Sequence, residues 1–230
     1  IGLGDIAVAA AGGSESDFNL TNQIAYTATT SLSSTGFSVP ASNRAIVRSI
    51  RVANIHDTAA ADITVQVNIN GGSNVKIANL IPVAKGGSVE LLKNPKVLNV
   101  SDTIHIQGSI NSALQAIISW EQTTTTDYVN AGGTATATLS TLFTSAGAAA
   151  TVCNSILLTN IDGVYNRAID VVWTNAADVV QAYLVKNYTI PAKATIEILE
   201  SAIRIPTGHK IRYMTPVANT VSAYVSGKNI

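Results

Sequence analysis

With a single cysteine in 230 residues, Cys153, this chain can form no internal disulfide. Its core must hold by packing alone, an arrangement that suits a reducing compartment. Charge is also scarce. Asp, Glu, Lys and Arg make up 12% of the residues, about half the usual fraction. The 14 basic and 14 acidic residues cancel, and no stretch carries a strong excess of either sign. Such a chain has no electrostatic footprint for nucleic acid or for an anionic membrane. No run approaches the about 20 apolar residues that a membrane helix needs. The opening IGLGDIAVAAAGG lacks a basic n-region, so it is not read as a signal peptide.

Catalytic chemistry is thin as well. There are three histidines, His56, His105 and His209, far apart in sequence. A metal site needs clustered His, Cys, Asp or Glu, and no such cluster is written here. No GxSxG elbow, phosphate loop, HExxH or calcium loop occurs. The GGS triplets at Gly12, Gly71 and Gly86 lack the strand-to-helix context of a phosphate cradle and read as turns. Glu90 and Glu197 fall at equivalent places in two similar segments, each within a strand, and read as a solvated face or a subunit contact. Arg44, Arg48 and Arg51 form the one local basic cluster, but only Phe37 lies near them, too few aromatics for a base-binding sheet. No catalytic residue, cofactor or metal is therefore expected.

What is present is strand signal. Hydrophobic residues make up 47% of the chain, and Thr, Ser and Asn fill much of the rest. In DITVQVNIN, Ile63, Val65, Val67 and Ile69 alternate with Thr64, Gln66, Asn68 and Asn70. A period of two predicts a half-buried strand. AIVRSIRVANI, VKIANL, SVELL, KVLNV, TIHIQGS and ALQAIISW read as further short strands, separated by Gly-, Pro- and Asn-containing turns.

The chain also repeats itself. FSVPASNRAIVRSIRVANI from Phe37 is followed 106 residues later by FTSAGAAATVCNSILLTNI from Phe143. Ser49 matches Ser155, Asn54-Ile55 matches Asn160-Ile161, Ile63 matches Ile169 and Val65 matches Val171. VELL and IEIL then align, as do Leu114, Ala116 and Ile118 with Val221, Ala223 and Val225. Cys153 aligns with Val47, so it reads as a small core hydrophobe. A period this long denotes a duplicated domain, not a solenoid. The expected fold is all-β: two tandem antiparallel β-sandwiches, jelly-roll or immunoglobulin-like, over residues 31–122 and 137–230, joined by a linker at 123–136. Residues 1–30, rich in Gly, Ala and Ser, read as a tail or as an arm that orders on a neighbouring subunit. Ile1, Leu3, Ile6, Val8, Phe18 and Leu20 are its candidate contact residues.

The segments FSVPASNRAIVRSIRVANIHD, ADITVQV, IPVAKGGSVELL, VLNVSDTIHI and ALQAIISWEQ together resemble β-sandwich domains of virion structural proteins in tailed bacteriophages. The second copy departs from the pattern, with Ala146 in place of Pro40 and His209 near the expected Asp. The resemblance implies a non-enzymatic virion component, either capsid decoration or cement or a neck or tail part. Its partners would be other copies of itself and other virion proteins, the major capsid or neck and tail proteins. A carbohydrate- or receptor-binding module is the alternative. Trp120 and Trp173 fall in phase with core residues, which disfavours it, and Tyr165 and Tyr188 are its candidate exposed rings.

Overall fold

The computed structural model describes residues 22–146 and 148–230. The arm residues Ile1, Leu3, Ile6, Val8, Phe18 and Leu20 lie outside the described residues. The described chain is all-β, with no helix.

The first sandwich contains β1 (Asn22–Thr27), β2 (Ser33–Ser38), β3 (Arg44–Asn54), β4 (Ala61–Ile69) and β5 (Ser73–Val83). It closes with β6 (Ser88–Glu90), β7 (Lys96–Leu98), β8 (Thr103–Gly108) and β9 (Leu114–Thr123). The second contains β10 (Tyr128–Thr134), β11 (Ser140–Thr144), β12 (Ala150–Asn160), β13 (Arg167–Thr174) and β14 (Val180–Ile190). It closes with β15 (Thr195–Glu197), β16 (Ile203–Pro206), β17 (Lys210–Met214) and β18 (Val221–Asn229).

One sheet of the first sandwich runs β1-β9-β3-β6, with β7 also on β3; the other runs β2-β8-β4-β5. The second sandwich repeats this as β10-β18-β12-β15, with β16 on β12, and β11-β17-β13-β14. If the short β6 and β7 are taken as one interrupted strand, the orders are 1-8-3-6 and 2-7-4-5. First pairs last, and successive strands cross between sheets except at the β4–β5 hairpin and its duplicate β13–β14. This is jelly-roll order, not the immunoglobulin order in which the first two strands are neighbours.

The repeated words are the residues that make this topology close. Phe37 and Phe143 are both buried and sit opposite Ile104 and Ile211. Asn54 donates to the Ala59 and Val83 carbonyls and accepts from the His56 N–H. Asn160 does the same for Tyr165, Ile190 and the Asp162 N–H. Each buried amide thus satisfies a corner that would otherwise leave backbone groups unpaired. Ile63, Val65 and Val67 are fully buried, as the alternation requires. Thr64 and Gln66, expected on a solvated face, are buried too, and Thr64 Oγ1 accepts the Leu80 N–H.

Two segments that composition placed outside the sandwiches are strands. Residues 22–27, counted with the arm, form β1, whose Ile24 and Tyr26 pack on the first core. The signal is one short alternation, NQIAYT, hidden next to a Gly/Ala-rich stretch. Residues 128–134, counted with the linker, form β10, paired along its length with β18. Its glycines resemble linker but serve close packing: a Cβ on Gly132 would lie 2.7 Å from Val75 Cγ2 and 3.0 Å from the Ala223 carbonyl oxygen.

That contact belongs to a seam. β5 of the first sandwich packs against β10, β12, β15 and β18 of the second. Leu157 and Tyr224 of the second sandwich are buried within the core cluster of the first. The two jelly rolls are therefore one continuous body. Gly132→Val is expected to lower stability by about 1–3 kcal/mol through overpacking of the seam. Gly163→Ala, with open space around it, is the control and should stay within about 0.5 kcal/mol. Urea unfolding of the two variants beside the wild type checks this.

Candidate functional site

The strongest electrostatic feature lies in the seam. Lys96 Nζ sits 2.7 Å from Glu197 Oε2, and the two side chains are 1% and 2% exposed. The ammonium also donates to Ser155 Oγ at 2.5 Å and to the Asn94 carbonyl at 3.0 Å. Glu197 accepts the Ser155 hydroxyl at 2.7 Å and the Ile156 N–H at 2.7 Å. Burial pulls the Lys96 ammonium below its ordinary pKa, and the adjoining Glu197 carboxylate opposes that pull. Every proton of the ammonium has a partner, which is what allows a dry charge pair to persist.

A second polar group flanks it. Asp102, fully buried, accepts the N–H groups of Asn70 and Asn99 at 2.9 and 2.7 Å. It also receives the Asn130 amide from the second sandwich at 2.7 Å. The Tyr224 hydroxyl donates to the Val97 carbonyl and lies 2.8 Å from Asn130 Nδ2. Asn79 Nδ2 reaches the Asn160 carbonyl at 3.2 Å, and Asn94 Nδ2 reaches the Leu199 carbonyl at 3.0 Å. These groups orient the two sandwiches. The side chains of Lys96 and Glu197, and the residues Asp102, Asn79 and Tyr224, are almost wholly withdrawn from solvent.

A groove of about 240 Å³ opens beside the seam, lined by Ile77, Ala78, Ile81, Leu157, Glu90 and Glu197 among others. Its two carboxylates are differently occupied. Glu90 is exposed and accepts Ser49 Oγ at 2.6 Å and the Ile50 N–H at 2.9 Å. This is the Ser155–Glu197 arrangement over again, without the lysine. The strand pairing Arg51↔Glu90 matches Leu157↔Glu197, so Glu90 is the duplicate of Glu197. The sequence suggests a solvated strand face or a subunit contact for both; Glu90 is exposed, but the Glu197 side chain is buried within the chain, because the first sandwich covers its strand face. The burial of Lys96 was not foreseen, because KVLNV gives no sign that a second domain will cover it.

The histidines are locally occupied. His56 Nδ1 accepts the Thr58 and Ala59 N–H groups. His105 lies 2.7 Å from Thr103 Oγ1, and burial lowers its pKa. His209 Nδ1 accepts Trp173 Nε1–H at 3.0 Å. Among the described residues no three His, Cys, Asp or Glu side chains converge. The arginine cluster disperses: Arg44 donates to Asn99, Arg48 to Glu121 and Arg51 to Ser88. Trp120 packs on Phe37 with ring centroids 4.4 Å apart.

The exposed apolar surface gathers on the second sandwich. Val179, Val180, Tyr183 and Tyr188 on and beside β14 are exposed, as are Val164 and Tyr165 in the β12–β13 loop. Asp162 shapes that loop. Its carboxylate accepts the Val164 N–H, pairs with Arg167 and accepts the Tyr165 N–H, which together hold its pKa down at about 2. Tyr165 lies beneath the Arg167 guanidinium and Tyr183 beneath the Lys186 ammonium.

No protein-family model matches this chain, and no curated protein sequence matches it. Among solved structures it is similar to the N-terminal CBM22-1-CBM22-2 tandem domain of Paenibacillus barcinonensis Xyn10C. That match has 11% identity and a TM-score of 0.27, covering 84% of this chain and 80% of that one. It is also similar to a chain of Sulfolobus Turreted Icosahedral Virus, with 8% identity and a TM-score of 0.25, covering 92% of this chain and 60% of that one. A third chain, from a triple jelly roll fold and turret assembly in an archaeal virus, has 9% identity and a TM-score of 0.25, covering 90% and 56%. This likeness is one of β-sandwich architecture alone.

Lys96→Ala is expected to cost about 3–5 kcal/mol, because it strands Glu197 in a dry seam. The double variant Lys96→Met/Glu197→Gln, which removes both charges and keeps an oxygen for the Ile156 N–H, should recover most of that loss; denaturant titration of both separates the charge from the packing. Cys153 yields another test. Burial pushes its thiol from an ordinary 9.0 up to about 12. The folded chain should not react with a thiol reagent at pH 8 and should react fully on unfolding. Its thiol ionises in the unfolded chain first, so the wild type should lose stability relative to Cys153→Val as pH rises from 9 toward 12. At pH 7 the Cys153→Val change itself should shift stability by less than about 1.5 kcal/mol.

Proposed function

We propose that this chain is a non-enzymatic structural protein of a tailed-phage virion, a capsid decoration or cement protein or a neck or tail component. The observation that carries the reading is the seam. Two jelly rolls are locked into one rigid body by a buried ion pair and a polar network, while apolar side chains stay open on the outer strand of the second roll. A rigid tandem block with little net charge suits a subunit that ends packed among neighbours. The sequence resemblance to phage virion sandwiches points the same way. In this reading the chain binds other virion proteins and copies of itself, and uses no cofactor, nucleic acid or membrane. The segment holding Ile1, Leu3, Ile6, Val8, Phe18 and Leu20 is its anchoring arm.

The exposed rings of Tyr165, Tyr183 and Tyr188 favour one second reading, a carbohydrate- or receptor-binding module. Sugar platforms use such open aromatic faces. Among the described residues the ring contacts are Phe37–Trp120 and Trp173–His209, so these tyrosines do not stack into a joint platform.

Immunogold electron microscopy of intact particles tests the first reading. Label over the head supports decoration or cement, label at the neck or tail supports a tail part, and particles without label overturn it. In the same system, a chain lacking residues 1–20 should keep its thermal unfolding midpoint and fail to enter particles. Normal incorporation would dismiss the arm. A glycan-array signal lost on Tyr165→Ala or Tyr188→Ala would put the binding module first.

A further inference from the structure

Duplication gives each jelly roll the same two surfaces, and the seam consumes only one of each. The first roll contributes one edge, β5 together with β7 and its Lys96; the second contributes the outer face of the sheet β10-β18-β12-β15. Left over are the duplicate of that edge, β14 with β16, and the duplicate of that face, on β1-β9-β3-β6. We propose that these two leftover surfaces dock on each other between copies of this chain, head to tail, in the geometry of the seam. This inference rests on the structural role proposed above and names the surfaces that would serve it.

The register fixes which residues correspond. Ile63↔Ile81, Val65↔Ala78 and Gln66↔Lys76 in the first roll match Ile169↔Tyr188, Val171↔Val185 and Val172↔Tyr183 in the second. The irregularity is shared as well, with Leu80 at φ 52° and Asn187 at φ 49°. Position by position, Val75 and Asn79 are buried where Ala182 and Lys186 are exposed, Ile77 and Ala78 are buried where Leu184 and Val185 are half-buried, and Lys76 and Ile81 are half-buried where Tyr183 and Tyr188 are exposed. The strands have the same place in their sheets. What differs is the cover that the second roll gives to β5.

The free face shows the converse. Arg51↔Ile117 and Ala25↔Ile117 match Leu157↔Tyr224 and Gly132↔Tyr224. Tyr224 is 0% exposed in the seam, whereas its duplicate Ile117 is 45% exposed. The substitutions are complementary in pairs. Gly132 against Val75 becomes Ala25 against Ala182, so bulk moves from one side to the other. Leu157, which lines the groove with Ile77, Ala78 and Ile81, becomes Arg51, opposite Leu184, Val185 and Tyr188. A guanidinium over the Tyr188 ring is a favourable cation–π contact. The Lys96 position becomes Ile203, and the cation moves to Arg51, which is already the cross-strand neighbour of Glu90. Asn79, the donor to the Asn160 carbonyl, becomes Lys186, also a donor.

Because face and strand are different surfaces, the contact is heterologous and propagates into a ring or filament. Sedimentation equilibrium of the full chain, over a wide concentration range, tests it. The wild type should rise from 23.8 kDa toward multiples of that mass. Ile117→Asp removes the face and Tyr183→Asp removes the strand; each should stay at the single-chain mass with unchanged circular dichroism. Their equimolar mixture should form a dimer, since one intact face and one intact strand remain. A wild type that stays monomeric up to millimolar concentration overturns the proposal. So does a folded variant that associates as the wild type does, or a mixture that stays monomeric. Association untouched by both variants would sink these surfaces and leave the structural role standing; unlabelled particles would sink the role whatever the sedimentation shows.

Discussion

The buried contact between Lys96 and Glu197 is the constraint on which the rest of this molecule depends. Apolar burial around Tyr224 and Leu157 makes the two jelly rolls adhere, but apolar contact is tolerant of small slides. A dry ammonium and a dry carboxylate are not. Shifting one roll past the other by a single residue would separate them and leave both without water, a penalty of several kcal/mol. The pair contributes little net stability over an apolar replacement. What it contributes is discrimination between one register of the seam and its neighbours. Asn130, bridging Asp102 and Tyr224, adds a second pin some distance along the same face, so rotation is resisted as well as translation.

The Ser–Glu arrangement that receives Lys96 occurs in both rolls, as Ser155–Glu197 and as Ser49–Glu90. In each, the carboxylate also accepts a backbone N–H next to the strand irregularity, from Ile156 or Ile50. The carboxylate therefore has a local task before any second domain arrives. It satisfies an N–H that the bulge takes out of the ladder. The seam exploits a negative group that the single roll already needs. This explains how a glutamate can be retained in a strand flanked by apolar residues without belonging to a catalytic pair.

Much of this fold was legible in the sequence, and the limits are physical. Ile63, Val65 and Val67 were placed correctly because alternation reports the inner face of a strand directly. The duplication was legible because both copies must solve the same corners with Phe37 or Phe143 and Asn54 or Asn160. β10 was missed because Gly132 and Gly133 carry the composition of a linker, and only the nearness of Val75 shows why a side chain is excluded. The burial of Thr64, Gln66 and Lys96 was missed for a related reason. Periodicity tells which residues face inward within one sheet; it says nothing about what later covers the outward face. The surfaces that matter most here are of that second kind.

The outer strand β14 shows how such a surface can be left open without becoming a hazard. An edge strand with free backbone groups invites pairing with another chain. Here the ladder to β13 is interrupted by repeated irregularities, and Asn187 adopts a left-handed conformation within the strand. The backbone is thus bent away from the straight edge that strand addition requires. Its side chains stay available: Val180, Tyr183 and Tyr188 form an apolar surface, and Lys186 borders it. The same irregularity occurs in β5, which packs on its neighbour by side chains and forms no ladder with the second roll. The bulge therefore separates two modes of association that a plain edge would confuse. It disfavours open-ended backbone pairing while leaving the side chains of the strand exposed.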